Sequence, residues 1–313
     1  MREERFLQIG GIEQWVTIRG QNTANPLLLI IHGGPGSPYT PFNSWLGTWE
    51  AEFTVVQWDQ RGSGRSFIRS GETAPADLSL QRLVEDGLEL AQHLRERFQQ
   101  PLVLMGSSVG SLIGAIMAKR QPELFAAYMA ANVFTSESAS ESYRLTLERA
   151  EHRGDRRTVS ELTLIGSDTA AWTPQQAEEV SKHAIKASVG VPDMVYDLML
   201  PALMYAPDLS MADIRAIDRG MKSTLKALQP EYSRFDFEAL GYDYALPYII
   251  VQGASDIVSP VTAARRHFKR ITAPSKRIVE VAGAGHLVEF ADRARFLAEL
   301  QLVHETTPGR PMS

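Results

Sequence analysis

The sequence predicts an α/β fold: a mostly parallel central sheet flanked by helices, with an inserted helical cap. Three observations predict it. Short apolar runs with little alternation, such as Leu27–Ile31 and Leu102–Met105, read as strands buried on both faces. Helical periodicity fills the stretches between such runs. The alternation of strand and helix then stops between about Val133 and Ala245, where only helical patterns occur. The expected division is a core of residues 1–132 and 246–313 and a helical cap of residues 133–245.

Phe6–Ile9 and Gln14–Ile18 open the chain as two strands, and Gly10-Gly11 between them reads as a hairpin turn. Buried strands are expected at Leu27–Ile31, Phe53–Trp58, Leu102–Met105, Ala126–Ala131, Tyr248–Gln252 and Arg277–Val281. Between Ser79 and Phe98, Leu80, Leu83, Val84, Leu88, Ala91 and Leu94 recur at helical spacing, with Glu85, Asp86, Arg95 and Glu96 expected on other faces. Further helices are expected at Ser108–Arg120, where Ala115 and Ala118 allow close contact with a sheet, at Val261–Phe268 and at Leu287–Val303. Cap helices are expected at Ser140–His152, Arg157–Ile165, Pro174–Ser188, Pro192–Met204 and Met211–Leu228. The tail Thr306–Ser313, with two prolines and a glycine, is expected to fray.

Composition narrows the function classes. The chain has 313 residues, 44% hydrophobic and 22% charged, which is ordinary for a globular protein and leaves core size unrestricted. A net charge of -5 without a Lys/Arg run argues against a nucleic-acid partner and for a small substrate. No cysteine occurs, so disulfides, thiolate catalysis and cysteine metal sites are excluded. The charged start Met1-Arg2-Glu3-Glu4-Arg5 lacks an apolar segment of signal-peptide length, and no run reaches the roughly 18 residues of a membrane span. A cytoplasmic protein without membrane contact is expected. Oligomeric state is not legible.

The chemistry centres on Met105-Gly106-Ser107-Ser108-Val109-Gly110-Ser111, between a strand and a helix. This is the context of a nucleophile elbow, in which glycines allow the sharp turn that exposes a serine. By chance G-x-S-x-G arises in about one chain of this length in ten, so its surroundings must carry the inference. They do. Asp256 and His286 each follow a predicted core strand, and the order Ser, Asp, His is that of α/β-hydrolases. His286 is the expected base for Ser108, and Asp256 the acid that fixes the imidazole tautomer. His93, His152, His183, His267 and His304 lie in or beside predicted helices and form no H-E-x-x-H pair, so no metal is expected. Two oxyanion donors are expected from the backbone of Val109 and of Gly34, in His32-Gly33-Gly34-Pro35-Gly36. Pro35 and the missing lysine speak against a phosphate loop there, and His32 reads as a structural residue.

These segments, together with Trp58-Asp59-Gln60-Arg61-Gly62-Ser63-Gly64-Arg65-Ser66, Gly253-x-x-Asp256 and Gly285-His286, resemble the proline iminopeptidase branch of the α/β-hydrolases. The resemblance spans about Leu27 to Leu300, and Asp59-Gln-Arg-Gly-x-Gly-x-Ser66 is its most specific part. It implies an aminopeptidase that releases an N-terminal residue, often proline, through an acyl-enzyme, with no metal or organic cofactor. It also implies that acidic cap residues hold the substrate amine; Glu137 and Glu238 are the candidates taken forward, beside Glu141, Glu148 and Asp236, with Gly33 contributing to substrate binding. The Trp58–Ser66 segment reads as a structural turn in which Asp59 and Arg61 or Arg65 satisfy loop backbone. Two positions depart from the family pattern: Val109 stands where Trp is usual and Ser107 where Gly or His is usual. The pocket beside the oxyanion hole is therefore altered, which motivates an esterase, lactonase or amidase as the alternative. A non-catalytic receptor or scaffold is the alternative of another class, and the intact Ser, Asp, His order speaks against it.

Overall fold

A computed structural model describes residues 1–73, 75–207 and 209–305. The tail expected to fray lies outside the described residues. Eight strands form one sheet: β1 (Arg2–Ile9), β2 (Ile12–Arg19), β3 (Leu27–Ile31), β4 (Thr54–Asp59), β5 (Leu102–Ser107), β6 (Ala127–Ala131), β7 (Tyr248–Gly253) and β8 (Lys276–Val281). Their spatial order is β1-β2-β4-β3-β5-β6-β7-β8. β1 and β2 pair antiparallel, as do β2 and β4, while β3 through β8 pair in parallel. Gly10 and Gly11, at φ 58° and 78°, make the two-residue turn that sets Ile9 opposite Ile12.

The helices are α1 (Trp49–Glu52), α2 (Gly64–Arg69), α3 (Leu80–Phe98), α4 (Val109–Arg120), α5 (Ser138–His152), α6 (Arg156–Ile165), α7 (Pro174–Ala187), α8 (Leu200–Met204), α9 (Met211–Tyr232), α10 (Phe237–Leu240), α11 (Val261–Arg270), α12 (Val288–Ala291) and α13 (Arg293–Glu305). Six of them, α5 to α10, lie between β6 and β7 in the chain. Among the described residues no helix is long and apolar enough to cross a membrane.

Alternation along the central strands explains the layers. Leu27, Leu29 and Ile31 of β3 enter one apolar cluster with Val84, Ala91 and Leu94 of α3; Leu28 and Ile30 enter another with Trp49 and Phe296. Successive side chains of a strand point to opposite faces, so each face needs its own helical cover. Ser79 caps α3 by accepting a hydrogen bond from Arg82 N–H at 3.1 Å.

Three expectations about elements need correction. Asp86 is fully buried within α3 rather than on an outer face, because Arg61 Nε at 2.8 Å, Arg82 Nε at 2.8 Å and Gln14 Nε2 at 2.8 Å satisfy its carboxylate. The single helix expected over Leu287–Val303 is two, since Asp292 leaves helical geometry and accepts from Arg295 N–H at 3.0 Å, capping α13. The helix expected over Pro192–Met204 begins as a π-helical turn, Met194–Met199, capped by Asp193 and followed by α8.

β4 and β5 leave β3 on opposite sides, so the connections after β3 and after β5 diverge at neighbouring strand ends. Such a switch point leaves a crevice outside the strands' carboxyl ends. The His32–Gly36 loop and Ser108 both stand there.

Candidate active site

Ser108 is the one residue between β5 and α4, with φ 52° and ψ −128°. A side chain rarely adopts this conformation, at a cost of about 1–3 kcal/mol, and packing must enforce it. The enforcement is visible. A Cβ at Gly106 would fall 2.5 Å from Gly110 O, and one at Gly110 would fall 2.3 Å from Ile31 O. Only glycine at both positions lets α4 turn back this tightly, and Ser108 N–H is fixed to Ala131 O at 3.0 Å. Val109, buried, begins α4, so its N–H has no carbonyl a turn earlier to receive it.

The loop after β3 closes on the same spot. A Cβ at Gly33 would lie 2.8 Å from that of Ser108, and the Gly33 carbonyl accepts from Ser37 N–H at 3.2 Å. Gly33 thus serves the approach of loop to elbow, and Gly34, exposed with φ 115°, lines the clefts beside Ser108. His32 is buried: Nδ1 sits 3.0 Å from Gly33 O, and Nε2 receives Gln60 N–H at 3.3 Å. Burial pushes its pKa down to about 4, so it steadies the loop as a neutral ring.

The Trp58–Ser66 segment runs from the end of β4 through a turn at residues 60–63 into α2. Asp59 accepts from Thr40 Oγ1 at 2.9 Å and Arg65 N–H at 2.8 Å, and burial raises its pKa to about 6 against those bonds. Arg61 donates to Asp86 and, at 2.7 Å, to Gly10 O.

His286 and Asp256 meet across the ends of β7 and β8. His286 Nδ1 lies 2.8 Å from Asp256 Oδ2, and both residues are buried. Asp256 Oδ1 accepts from Val258 N–H at 2.8 Å and Ser259 N–H at 2.9 Å, while Gln252 Nε2 reaches Oδ2 at 3.1 Å. The carboxylate is therefore held on both oxygens, which fixes the ring and leaves Nε2 as its second nitrogen. Burial disfavours the imidazolium. The charge and hydrogen bond of Asp256, with the charge of Glu289, nonetheless hold the His286 pKa above its ordinary value. His286 and Ser108 line one cleft.

A buried network that the sequence reading missed underlies the elbow. Glu289, wholly buried, accepts from Ser107 Oγ at 2.5 Å, Tyr39 OH at 2.9 Å and Asn132 Nδ2 at 2.9 Å. Ser107 precedes Ser108, Tyr39 follows the Gly33-Gly34 loop and Asn132 follows β6, so one carboxyl ties together the segments that shape the site. Burial raises its pKa. An acid within Leu287-Val288-Glu289-Phe290, immediately after His286, was the available signal.

The acids expected to hold a substrate amine stand elsewhere. Glu137 pairs with Arg266 and Glu238 with Arg270, both on the exposed side of α11. Glu141 pairs with Arg144 and Thr262, Glu148 with Arg144, and Asp236 caps α10. None of these five lines either cleft that contains Ser108. Among the described residues Glu178 of α7 does line one of them; it was not among those singled out, and its Oε1 is held by Lys182 Nζ at 2.8 Å.

Away from the clefts, His183, Glu161 and Glu179 gather on α6 and α7, with His183 Nε2 2.9 Å from Glu161 Oε2. Among the described residues these are the three whose donor atoms come close enough to share a metal ion. Arg157 pairs with Glu161 at 2.8 Å, and Lys182 reaches Glu179 at 3.5 Å as well as Glu178.

Comparison with known proteins gives a family and relatives. The family described as alpha/beta hydrolase fold matches residues 26–290. A Bacillus subtilis (strain 168) protein named "Probable aminopeptidase YbaC" is 25% identical over 298 residues, 93% of this chain and 92% of that one. A proline iminopeptidase of Lactobacillus delbrueckii subsp. bulgaricus is 24% identical over 305 residues, 94% of either chain. Among solved structures, a proline iminopeptidase-related protein from Thermus thermophilus aligns at TM-score 0.66 and 19% identity over 98% of both chains, a likeness of fold.

Proposed function

The chain belongs to the alpha/beta hydrolase fold family, and on that premise we propose that it is a serine hydrolase working through an acyl-enzyme. Ser108 Oγ attacks a substrate carbonyl as His286 Nε2 takes its proton. Backbone N–H groups of Gly34 and Val109 receive the developing oxyanion. The imidazolium, stabilised by Asp256, hands the proton to the leaving group, and water then repeats the sequence in reverse roles. The observation that carries this reading is the buried Asp256–His286 pair at 2.8 Å, whose histidine lines one cleft with a serine held in a strained turn.

Small esters and amides are the substrates the clefts favour. A second reading, an aminopeptidase of proline iminopeptidase type, is favoured by the names of relatives that match more than nine tenths of the chain. No metal or organic cofactor takes part in either scheme.

The test is the pH profile of kcat/KM together with a pre-steady-state burst on a 4-nitrophenyl ester. His286 must be neutral to act as base, so activity rises as pH passes its pKa; because that pKa is raised, the acidic limb should have its midpoint above pH 6.5. A midpoint at or below 6.5, or turnover without an acyl-enzyme burst under conditions where deacylation is rate-limiting, contradicts the scheme.

A further inference from the structure

Two clefts diverge from Ser108, and their linings differ. Both include Gly34, Ser108 and Tyr232, but Val109 lines only one and His286 only the other. Resting on the serine mechanism above, we infer that the Val109 cleft holds the acyl group and the His286 cleft the leaving group, and that the acyl group is neutral and polar.

The assignment follows from where the protons go. His286 Nε2 protonates the departing oxygen or nitrogen, so that atom must lie on the imidazole side of the serine. The acyl chain extends the other way, past Val109. The cleft there, about 170 Å³, suits an acyl group of a few heavy atoms.

Its walls decide the chemistry. Phe134, Trp172 and Phe235 supply aromatic surface, and the rest is rich in hydroxyls, among them Thr135, Ser138 and Ser142. Ser142 is itself buried, at 5% exposure. Among the described residues no carboxylate, ammonium, guanidinium or imidazole lines this cleft. A protonated α-amine placed there would lose water without gaining a counter-charge, a far larger penalty than that of a neutral ether, hydroxyl or carbonyl, which the hydroxyls can meet. The Glu178–Lys182 pair lines the other cleft, on the leaving-group side, and the Glu178 carboxylate there is already engaged by Lys182. That second cleft, about 310 Å³, is walled by Met194, Met199, Met221, Leu225 and Leu287. Flexible methionines adapt to varied apolar shapes, so an apolar leaving group fits.

The experiment uses three near-isosteric 4-nitrophenyl esters with one leaving group: the prolyl, tetrahydrofuran-2-carbonyl and cyclopentanecarbonyl esters. Each kcat/KM is divided by the ester's spontaneous hydrolysis rate, which removes differences in intrinsic reactivity. The tetrahydrofuranyl ester should exceed the prolyl ester by about 100-fold or more, the order expected when one group has a partner and the other is left uncompensated. It should also exceed the cyclopentyl ester, and Ser142→Ala should reduce that second preference by about tenfold. In the exposed rim position, Ser136→Asp supplies the missing carboxylate and should raise relative prolyl turnover. Equal or faster turnover of the prolyl ester by the unmodified protein overturns the acyl-cleft assignment while leaving the serine mechanism intact. Failure to hydrolyse all three, with Ser108 inert to a fluorophosphonate, overturns both.

Discussion

Replacing Ser108 with alanine should lower kcat by about 10⁶-fold while the protein stays folded. The loss is large because the hydroxyl is the attacking atom, and the residual rate comes from oxyanion donors and binding alone. Folding should survive for a separate reason. Ser108 is only half-buried, and alanine meets the same positive-φ constraint that serine already tolerates. The melting temperature should therefore shift by no more than about 2 °C, within the range of neutral substitutions. Activity assays and thermal melts on the same preparation check both halves. Retained turnover would place the nucleophile elsewhere, and loss of folding would make the elbow a structural device.

Glu289→Ala should produce the largest stability change, about 3–5 kcal/mol. Removing the carboxyl strands the Ser107 and Asn132 donors in a region closed to water, at about 1–3 kcal/mol for each unpaired donor, while Tyr39 OH keeps Ser107 Oγ at 2.9 Å. Glu289→Gln keeps the shape and should cost much less. The two variants also differ in pH dependence. Burial raises the Glu289 pKa above 4.5, so between that value and the raised one the folded chain binds more protons than the unfolded chain. Stability contributed by this group is thus greatest at low pH and falls as pH rises through that window, by at most about 1.4 kcal/mol per pH unit. Glu289→Gln removes the titrating proton, so the difference in unfolding free energy between it and the parent should change with pH across the acid range. Denaturant melts at several pH values measure this. A constant difference would mean that the carboxyl is not strained by burial.

Much of the architecture was legible because burial on both faces leaves a plain mark. Leu27–Ile31 and Leu102–Met105 could hardly be anything but central strands, and β3 appears with the bounds expected. Boundaries inside helical regions were less legible. Nothing in the apolar spacing of Leu287–Val303 announces the break at Asp292, which depends on a side chain choosing to cap the next helix. Likewise Asp86 looked like a surface residue until Arg61, distant in sequence, was brought against it.

The site shows the same division. Ser108, Asp256 and His286 could be proposed because a nucleophile elbow and strand-end loops have local signatures, and the Asp256–His286 contact puts two of them in hydrogen-bond range. Glu289 stands close after His286 in sequence, but its role was not legible. Its meaning rests on three partners more than a hundred residues away. The acids expected to hold a substrate amine failed to reach the clefts for an equally non-local reason: α11 offers Arg266 and Arg270, which draw Glu137 and Glu238 outward. Acidic residues on helices carry no mark of which way their helix faces.

The central claim is that Ser108 is an activated nucleophile, and labelling by a fluorophosphonate probe tests it most directly. Peptide mass spectrometry after treatment of the folded protein should find a single phosphonyl adduct on Ser108, approaching one per chain, with the adduct lost in Ser108→Ala and slowed in His286→Ala. A folded sample that takes no adduct at Ser108, or takes it at another serine, contradicts the account.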